Sequence, residues 1–234
     1  RDKIFNLDNL EINIVGDITP QDSKRLINKL TNEFSKKEVE PLEEYKLKAV
    51  TNHTEFDSTQ THLAVIIPAI SRSDPDYYNL LVANYIFGGS GFGSWLMEEI
   101  RQKRGLSYSV YSYLSTYQNS GYLRISLQTK NESINLAKNI IREQVDKLSR
   151  FDVEDAKIAA TKKAILRSFE MRADTNRKIL NLISSINYLN LDLNYFENYK
   201  NNLKQVNKDS IKAALNRAMD FDNISVFTVG KSIE

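Results

Sequence analysis

The chain has 234 residues, 41% of them hydrophobic and 26% charged, enough to bury roughly 70% of its unfolded surface in one or two cores. Its 32 basic and 30 acidic side chains leave a formal charge of +2, without the basic excess that nucleic-acid binders carry. It has no cysteine, which excludes disulfides, zinc fingers, iron–sulfur clusters and thiol nucleophiles. Its only histidines are His53 and His62, so a catalytic zinc would need both of them plus carboxylates in one cluster.

No window reaches the ~18 consecutive apolar residues needed to span a bilayer, and residues 1–20 lack the apolar centre of a signal peptide. The first residue is Arg1 rather than Met, which reads as a processed or excised segment of something longer. Residues 10–15 alternate apolar and polar before Gly16-Asp17, the pattern of a strand running into a turn. Thr19-Pro20-Gln21-Asp22 then offers an N-cap, proline at the first helical position and an acidic first turn, and predicts a helix to about Phe34. The charged stretch 35–44, with Pro41, reads as a linker and sets the one expected boundary: residues 1–44 as the terminal strand, helix and linker of a preceding half, and 45–234 as a domain.

Strands are expected over 45–52 and 61–68. Asp74-Pro75-Asp76 opens a helix that runs to Gly88-Gly89, and a second helix over 94–103 ends at Gly105, where a left-handed cap fits. Residues 106–116 and 122–129 form a hairpin across Gln118-Asn119-Ser120-Gly121. Helices follow over 132–148, 153–173 and 176–191, near Tyr195, and over 209–219, before a closing strand at 223–229. Its Val229-Gly230-Lys231 echoes Val15-Gly16-Asp17, as two structurally repeated halves would. Strands first and helices later, with hairpin connections, predict an α+β domain: a mainly antiparallel sheet covered on one face by helices, in two layers.

Five of the eight glycines lie between Gly88 and Gly105, in Phe87-Gly88-Gly89-Ser90-Gly91-Phe92-Gly93-Ser94-Trp95-Leu96-Met97-Glu98-Glu99-Ile100-Arg101-Gln102-Lys103-Arg104-Gly105-Leu106-Ser107-Tyr108. A nucleotide-binding loop would need a preceding strand and G-x-G-x-x-G spacing, or a following Gly-Lys-Ser/Thr. This segment has neither.

Together with the stretch from His53 to Gln60, the Asp74-Pro75-Asp76-Tyr77-Tyr78 helix start, Gly121 and the terminal Val-Gly strand, this segment resembles the pitrilysin/insulinase-type zinc peptidases, which include the mitochondrial processing peptidases. The resemblance covers nearly the whole chain and implies the C-terminal half of a two-part peptidase that encloses a chamber. The other half of such enzymes carries an inverted zinc motif, His-x-x-Glu-His, which is absent here. What the resemblance implies for the site is Arg101 and Tyr108 as catalytic contributors reaching across the chamber. A backbone approach to bound peptide is implied for Gly88, Gly89, Ser90, Gly91 and Gly93.

A guanidinium supplies fixed donors for carbonyls, and a phenol can donate to a developing oxyanion. The family's usual Ser-Arg-Leu after the glycines is Ser94-Trp95-Leu96 here. Lys103 and Arg104 read as a solvated helix end, Glu98 and Glu99 as exposed helical carboxylates, and both histidines as strand-surface residues. No metal ligand or cofactor is expected in this chain, and zinc is expected in the partner half. That partner is either part of the same full-length chain or a paired subunit, with a peptide as substrate; the resemblance also leaves a homodimer open. Asparagine- and lysine-rich usage points to a bacterium, and resemblance to secreted members favours the periplasm or cell envelope. The competing expectation is a catalytically inactive scaffold or peptide-binding protein with the same fold.

Overall fold

The computed structural model describes residues 7–36, 48–192 and 194–232. Helix α1 (Pro20–Thr31) starts as its sequence dictates: the Thr19 hydroxyl accepts the Asp22 backbone N–H at 3.1 Å, and proline occupies the first turn. Residues 10–15, expected as a strand, pair with no strand among the described residues. A single 3-10 turn, Leu7–Asn9, precedes them, and Asn13 instead accepts a hydrogen bond from the Asn187 side chain. Alternation in sequence marks a ribbon that can pair, but the ladder needs a neighbour, and the strands described here pair only with one another. The expected linker lies outside the described residues from position 37 to its end at 44.

Five strands, β1 (Thr51–Glu55), β2 (Gln60–Ala69), β3 (Val110–Thr116), β4 (Gly121–Lys130) and β5 (Ser225–Gly230), form one sheet in the order β1-β5-β2-β4-β3. Only the β1–β5 pair is parallel. The strand expected over 45–52 is displaced to Thr51–Glu55, because the pairing with Val226 to Gly230 fixes its position; residues 45–47 lie outside the described set. Register separates the two faces. Leu63, Val65 and Ile67 of β2, Leu123, Ile125 and Leu127 of β4, and Val110 and Ser112 of β3 are buried on one side, while Tyr111, Tyr113 and Phe227 are exposed on the other.

Helices α2 (Tyr77–Asn84), α3 (Ile134–Arg150), α4 (Asp155–Glu170), α5 (Asn176–Tyr188), α6 (Tyr195–Gln205) and α7 (Lys208–Ala218) complete the α+β domain. In α3, Ile134, Ala137, Ile140, Ile141, Val145 and Leu148 are buried at the three- and four-residue spacing of one helical face. The helix closes at Phe151, whose φ of +40° is unusual for a bulky side chain. Full burial of that ring, 6.2 Å from the Trp95 ring, offsets the strain.

Two expected helices depart from α geometry. The helix after Asp76 changes at Tyr85–Gly89 to a wide π turn, closed by Ser90 N–H to Tyr85 O at 3.1 Å. The segment expected as a helix over 94–103 is π-helical over Met97–Gln102, closed by Lys103 N–H to Glu98 O at 2.9 Å. Both wide turns flank the glycine loop. Such π segments occur frequently at functional sites.

Candidate functional site

The loop between the wide turns is built on two glycines in left-handed backbone, Gly91 at φ +68° and Gly93 at φ +88°. Buried Ser94 ends it. Its hydroxyl donates to Gly91 O at 2.7 Å, and its backbone N–H bonds the same carbonyl, which points the next helix. A side chain at Gly91 or Gly93 would meet open space. Gly88 is buried, and a Cβ there would lie 2.5 Å from Ser112 Oγ. The implied peptide-binding residues therefore divide physically. Gly91 and Gly93 shape an exposed loop, whereas Gly88 sets how closely that loop's base packs on β3, and Gly89 lies against Asn84. Trp95, in the place of the family's arginine, lies half-buried between the Phe151 ring and the Lys147 ammonium, which is 4.3 Å from its ring centre.

At the other end of the π segment, Gly105 in left-handed backbone turns the chain, with Gly105 N–H to Arg101 O and Leu106 N–H to Ile100 O. The next residues are tied to β4. Thr129 Oγ1 donates to Leu106 O at 2.6 Å, and Ser107 Oγ lies at 2.7 Å from Gln128 O. Tyr108 is thus held at the mouth of β3 by its neighbours while its own side chain is 82% exposed.

The Arg101 guanidinium lies 4.3 Å from the centre of the Tyr108 ring and 4.7 Å from that of Phe92. The structure thus brings together the two residues singled out for catalysis and adds a third, Phe92, which sequence reasoning missed. An exposed aromatic between two glycines was the available signal: at 69% exposure, Phe92 is held out of the core. Aromatic contacts to a guanidinium favour its positive charge and leave in-plane N–H donors for a carbonyl or carboxylate.

The surrounding charges sharpen the contrast. Lys103 pairs with Glu99 at 2.6 Å and Glu98 at 3.0 Å, and Arg104 pairs with Glu99 at 2.5 Å. Hydrogen bonds from Lys103, and then from Arg104, hold the Glu99 carboxyl below the usual carboxylate range. Arg101 has no carboxylate partner among the described residues. Among the described residues it is the one of the three cations without an ion-pair partner.

Among the described residues the two histidines do not assemble a zinc site. Register sets His53 beside Thr228 and His62 beside Val229, successive residues of β5, so the two histidines occupy opposite faces of the sheet. Both ring nitrogens of His53 are engaged, with Thr228 Oγ1 at 2.9 Å and Ser232 Oγ at 3.1 Å. Among the described residues no group of three or more His, Asp or Glu side chains is placed to hold a metal. No helix there is long and apolar enough to cross a membrane.

Residues 1–165 match the family described as peptidase M16 inactive domain. The chain belongs to this family. This M16 inactive domain is 33% identical over 224 residues to the "Non-peptidase homolog YmxG" of Helicobacter pylori, covering 90% of the chain and 50% of that protein. It is 30% identical to the "Uncharacterized zinc protease YmxG" of Bacillus subtilis over 53% of the chain and 30% of that protein. The crystal structure of a peptidase M16 inactive domain from Pseudomonas fluorescens superposes with a TM-score of 0.82 at 28% identity, over 93% of this chain and 53% of that one. The M16 inactive domain spans about half the length, or less, of these relatives. The fold expected from sequence and the family it resembles are thereby both established, as is its place in a family whose relatives include bacterial proteins named zinc proteases.

Proposed function

We propose that this domain is the substrate-binding, zinc-free half of a zinc metallopeptidase, contributing Arg101, Tyr108 and the glycine loop 88–93 to a peptide-hydrolysis site. The zinc belongs to another half, in the same full-length chain or in a paired subunit, and there it would supply the activated water. The observation that carries the reading is Arg101: between two exposed rings and without an ion-pair partner among the described residues, beside two cations that are paired. Its N–H donors would bind carbonyl oxygens or a carboxylate of the peptide. Tyr108, fixed by its neighbours, would donate to the oxyanion that forms on hydrolysis. Phe92 acts on substrate only through Arg101, as a positioning residue.

A second reading, an inactive scaffold or peptide-binding protein with the same fold, draws support from the relative named a non-peptidase homolog. Peptide hydrolysis by the full-length protein, or by this domain mixed with its zinc-bearing half, separates the two. Arg101→Ala and Tyr108→Phe are each expected to lower kcat/KM by ~10²-fold or more, the scale of a lost oxyanion donor, while Lys103→Ala leaves it unchanged. Native-like hydrolysis by both variants removes these residues from the mechanism. Peptide binding without hydrolysis, lost in Arg101→Ala, establishes the binding-protein reading.

A further inference from the structure

A second cation is singular in a different way. Arg72, just beyond β2, is only 6% exposed, and its backbone N–H donates to Tyr117 O at 2.8 Å, which fixes it over the β3–β4 turn. Its guanidinium carbon lies 3.4 Å from the centre of the Tyr77 ring, 5.3 Å from that of Tyr195 and 5.6 Å from that of Tyr78. Nη2 donates to the Tyr195 hydroxyl at 2.8 Å. No carboxylate pairs with Arg72 among the described residues. Asp74 and Asp76, close to it in sequence, are held instead by Arg217 at 2.5 and 2.6 Å.

Burying an unpaired cation costs several kcal/mol, of which the tyrosine faces offset a part. A guanidinium has five N–H donors, and the partners of Arg72 among the described residues are the hydroxyls of Tyr195 and Tyr78, fewer than its donors. Arg72 borders a cavity of about 460 Å3, whose walls also include Tyr78, Tyr195, Asn198, Asn202 and Gln205. That volume falls within the range of small-molecule pockets. The one buried side-chain polar atom without a partner among the described residues is Gln144 Oε1, so the Arg72 donors are not sealed in the core.

We propose that this cavity is a binding site for a monocarboxylate, with Arg72 and the Tyr195 hydroxyl as the groups that recognise it. The Tyr195 hydroxyl accepts from Arg72, so its own proton is free for a second acceptor, and burial, by pushing its pKa up to about 12, keeps that proton in place. The planar fork of Arg72 matches a carboxylate, and the uncharged amides of Asn198, Asn202 and Gln205 add neutral hydrogen-bonding capacity. Arg72 is the one buried cation on these walls, and the carboxylates of Asp192 and of Asp74, which is tied to Arg217, line them too, so the site has room for at most one negative charge and disfavours a phosphate dianion.

The site is distinct from the Arg101 constellation. Val110 pairs with Leu127 at one end of β4 and Ala69 with Gly121 at the other, six residues or ~20 Å apart along the strand. The carboxylate has two possible sources, a small organic acid or the C-terminus of a peptide.

The test is calorimetric titration of the full chain with benzoate, N-acetylglycine and N-acetyl-trialanine, the peptide also as its C-terminal amide, and with inorganic phosphate. Saturable binding of the free acids is expected with Kd at or below about 1 mM, and at least ~10-fold weaker binding of the amide. A free-acid peptide ~10-fold tighter than benzoate assigns the site to a peptide terminus, and equal affinities assign it to small organic acids. Arg72→Lys, which keeps the charge and loses the fork, and Tyr195→Phe, which keeps the ring, are each expected to weaken binding ~10-fold. Should Arg72→Lys fail to fold, Asn202→Ala on the exposed wall replaces it, with an expected loss of ~3-fold or more. No saturation by any free acid, titration of the folded variants like the native protein, or tighter binding of phosphate than of the carboxylates overturns the proposal.

Discussion

Replacing Gly88 by alanine tests whether the glycine loop is built from two kinds of glycine. The added Cβ would sit 2.5 Å from Ser112 Oγ, 2.7 Å from Leu96 Cδ1 and 2.9 Å from Ser112 Cβ. Leu96 and Ser112 are fully buried, and the Ser112 hydroxyl donates to Asn84 Oδ1 at 2.6 Å, so the methyl displaces β3 or breaks that bond. Overpacking of this kind costs ~1–3 kcal/mol and the hydrogen bond about 1 more, a total of ~2–4 kcal/mol. At ~2–4 °C per kcal/mol for a domain of this size, Tm falls by ~5–15 °C. Gly91→Ala meets no atom within 4 Å and bears only the left-handed backbone cost, ~1–2 kcal/mol.

Thermal and urea unfolding followed by circular dichroism measure both variants. Ser112→Ala supplies the decisive cycle: removing Oγ relieves the nearest contact, so Gly88→Ala and Ser112→Ala should couple by about 1 kcal/mol, and Gly91→Ala and Ser112→Ala should not. Additivity in the first cycle, or a Gly88→Ala protein as stable as Gly91→Ala, refutes the packing account of Gly88.

Further outcomes follow from other contacts. Phe169, fully buried and stacked on Tyr199 with ring centres 3.8 Å apart, should cost ~3–5 kcal/mol on replacement by alanine, read as a shift in urea midpoint. Glu99 has its folded pKa lowered, so the stability it contributes is present above the unfolded value near pH ~4.3 and is lost as pH falls through the lower folded value. Glu99→Gln should therefore be less stable than native at neutral pH by under about 1 kcal/mol, with the gap closing in acid; a gap that persists in acid contradicts the assignment. Arg217→Ala cuts the ties from α7 to Asp74 and Asp76, and because the arginine side chain is half exposed the expected loss is about 1 kcal/mol. Equilibrium dialysis of this chain against zinc should find no stoichiometric uptake, and a chelator should leave its Tm unchanged.

Legibility varied with how local the determining interactions are. The Thr19 cap, the left-handed Gly105 and the β3–β4 hairpin are fixed by residues within a few positions, and each was readable. The limits of β1 were not. Thr-Asn-His-Thr-Glu is an exposed edge with no apolar alternation, and its partner β5 lies 175 residues further along the chain for the His53–Thr228 contact. The wide turns were hidden because the same residues can close a hydrogen bond four or five positions back, and local sequence does not select between the two; both segments contain buried residues, Gly88 and Ile100 among them. At the candidate site, Arg101 and Tyr108 were visible through resemblance and Phe92 was not. Arg72 gave no local signal, since its cage is assembled from Tyr77, Tyr78 and Tyr195.

The placement of β5 has a consequence for how the chain acquires its structure during synthesis. β1 and β2 are separated by only four residues, yet they do not pair; β5 lies between them, parallel to one and antiparallel to the other. When the ribosome has made β2 and the β3–β4 hairpin, that three-stranded unit can close, but the edge of β2 facing β5 stays bare until residue 225 has emerged. At ~5–20 residues per second, the roughly hundred residues from β4 to β5 keep this edge unpaired for ~5–20 s. That edge belongs to a strand whose Leu63, Val65 and Ile67 later become core, so it is the segment most open to wrong pairing while the chain is made.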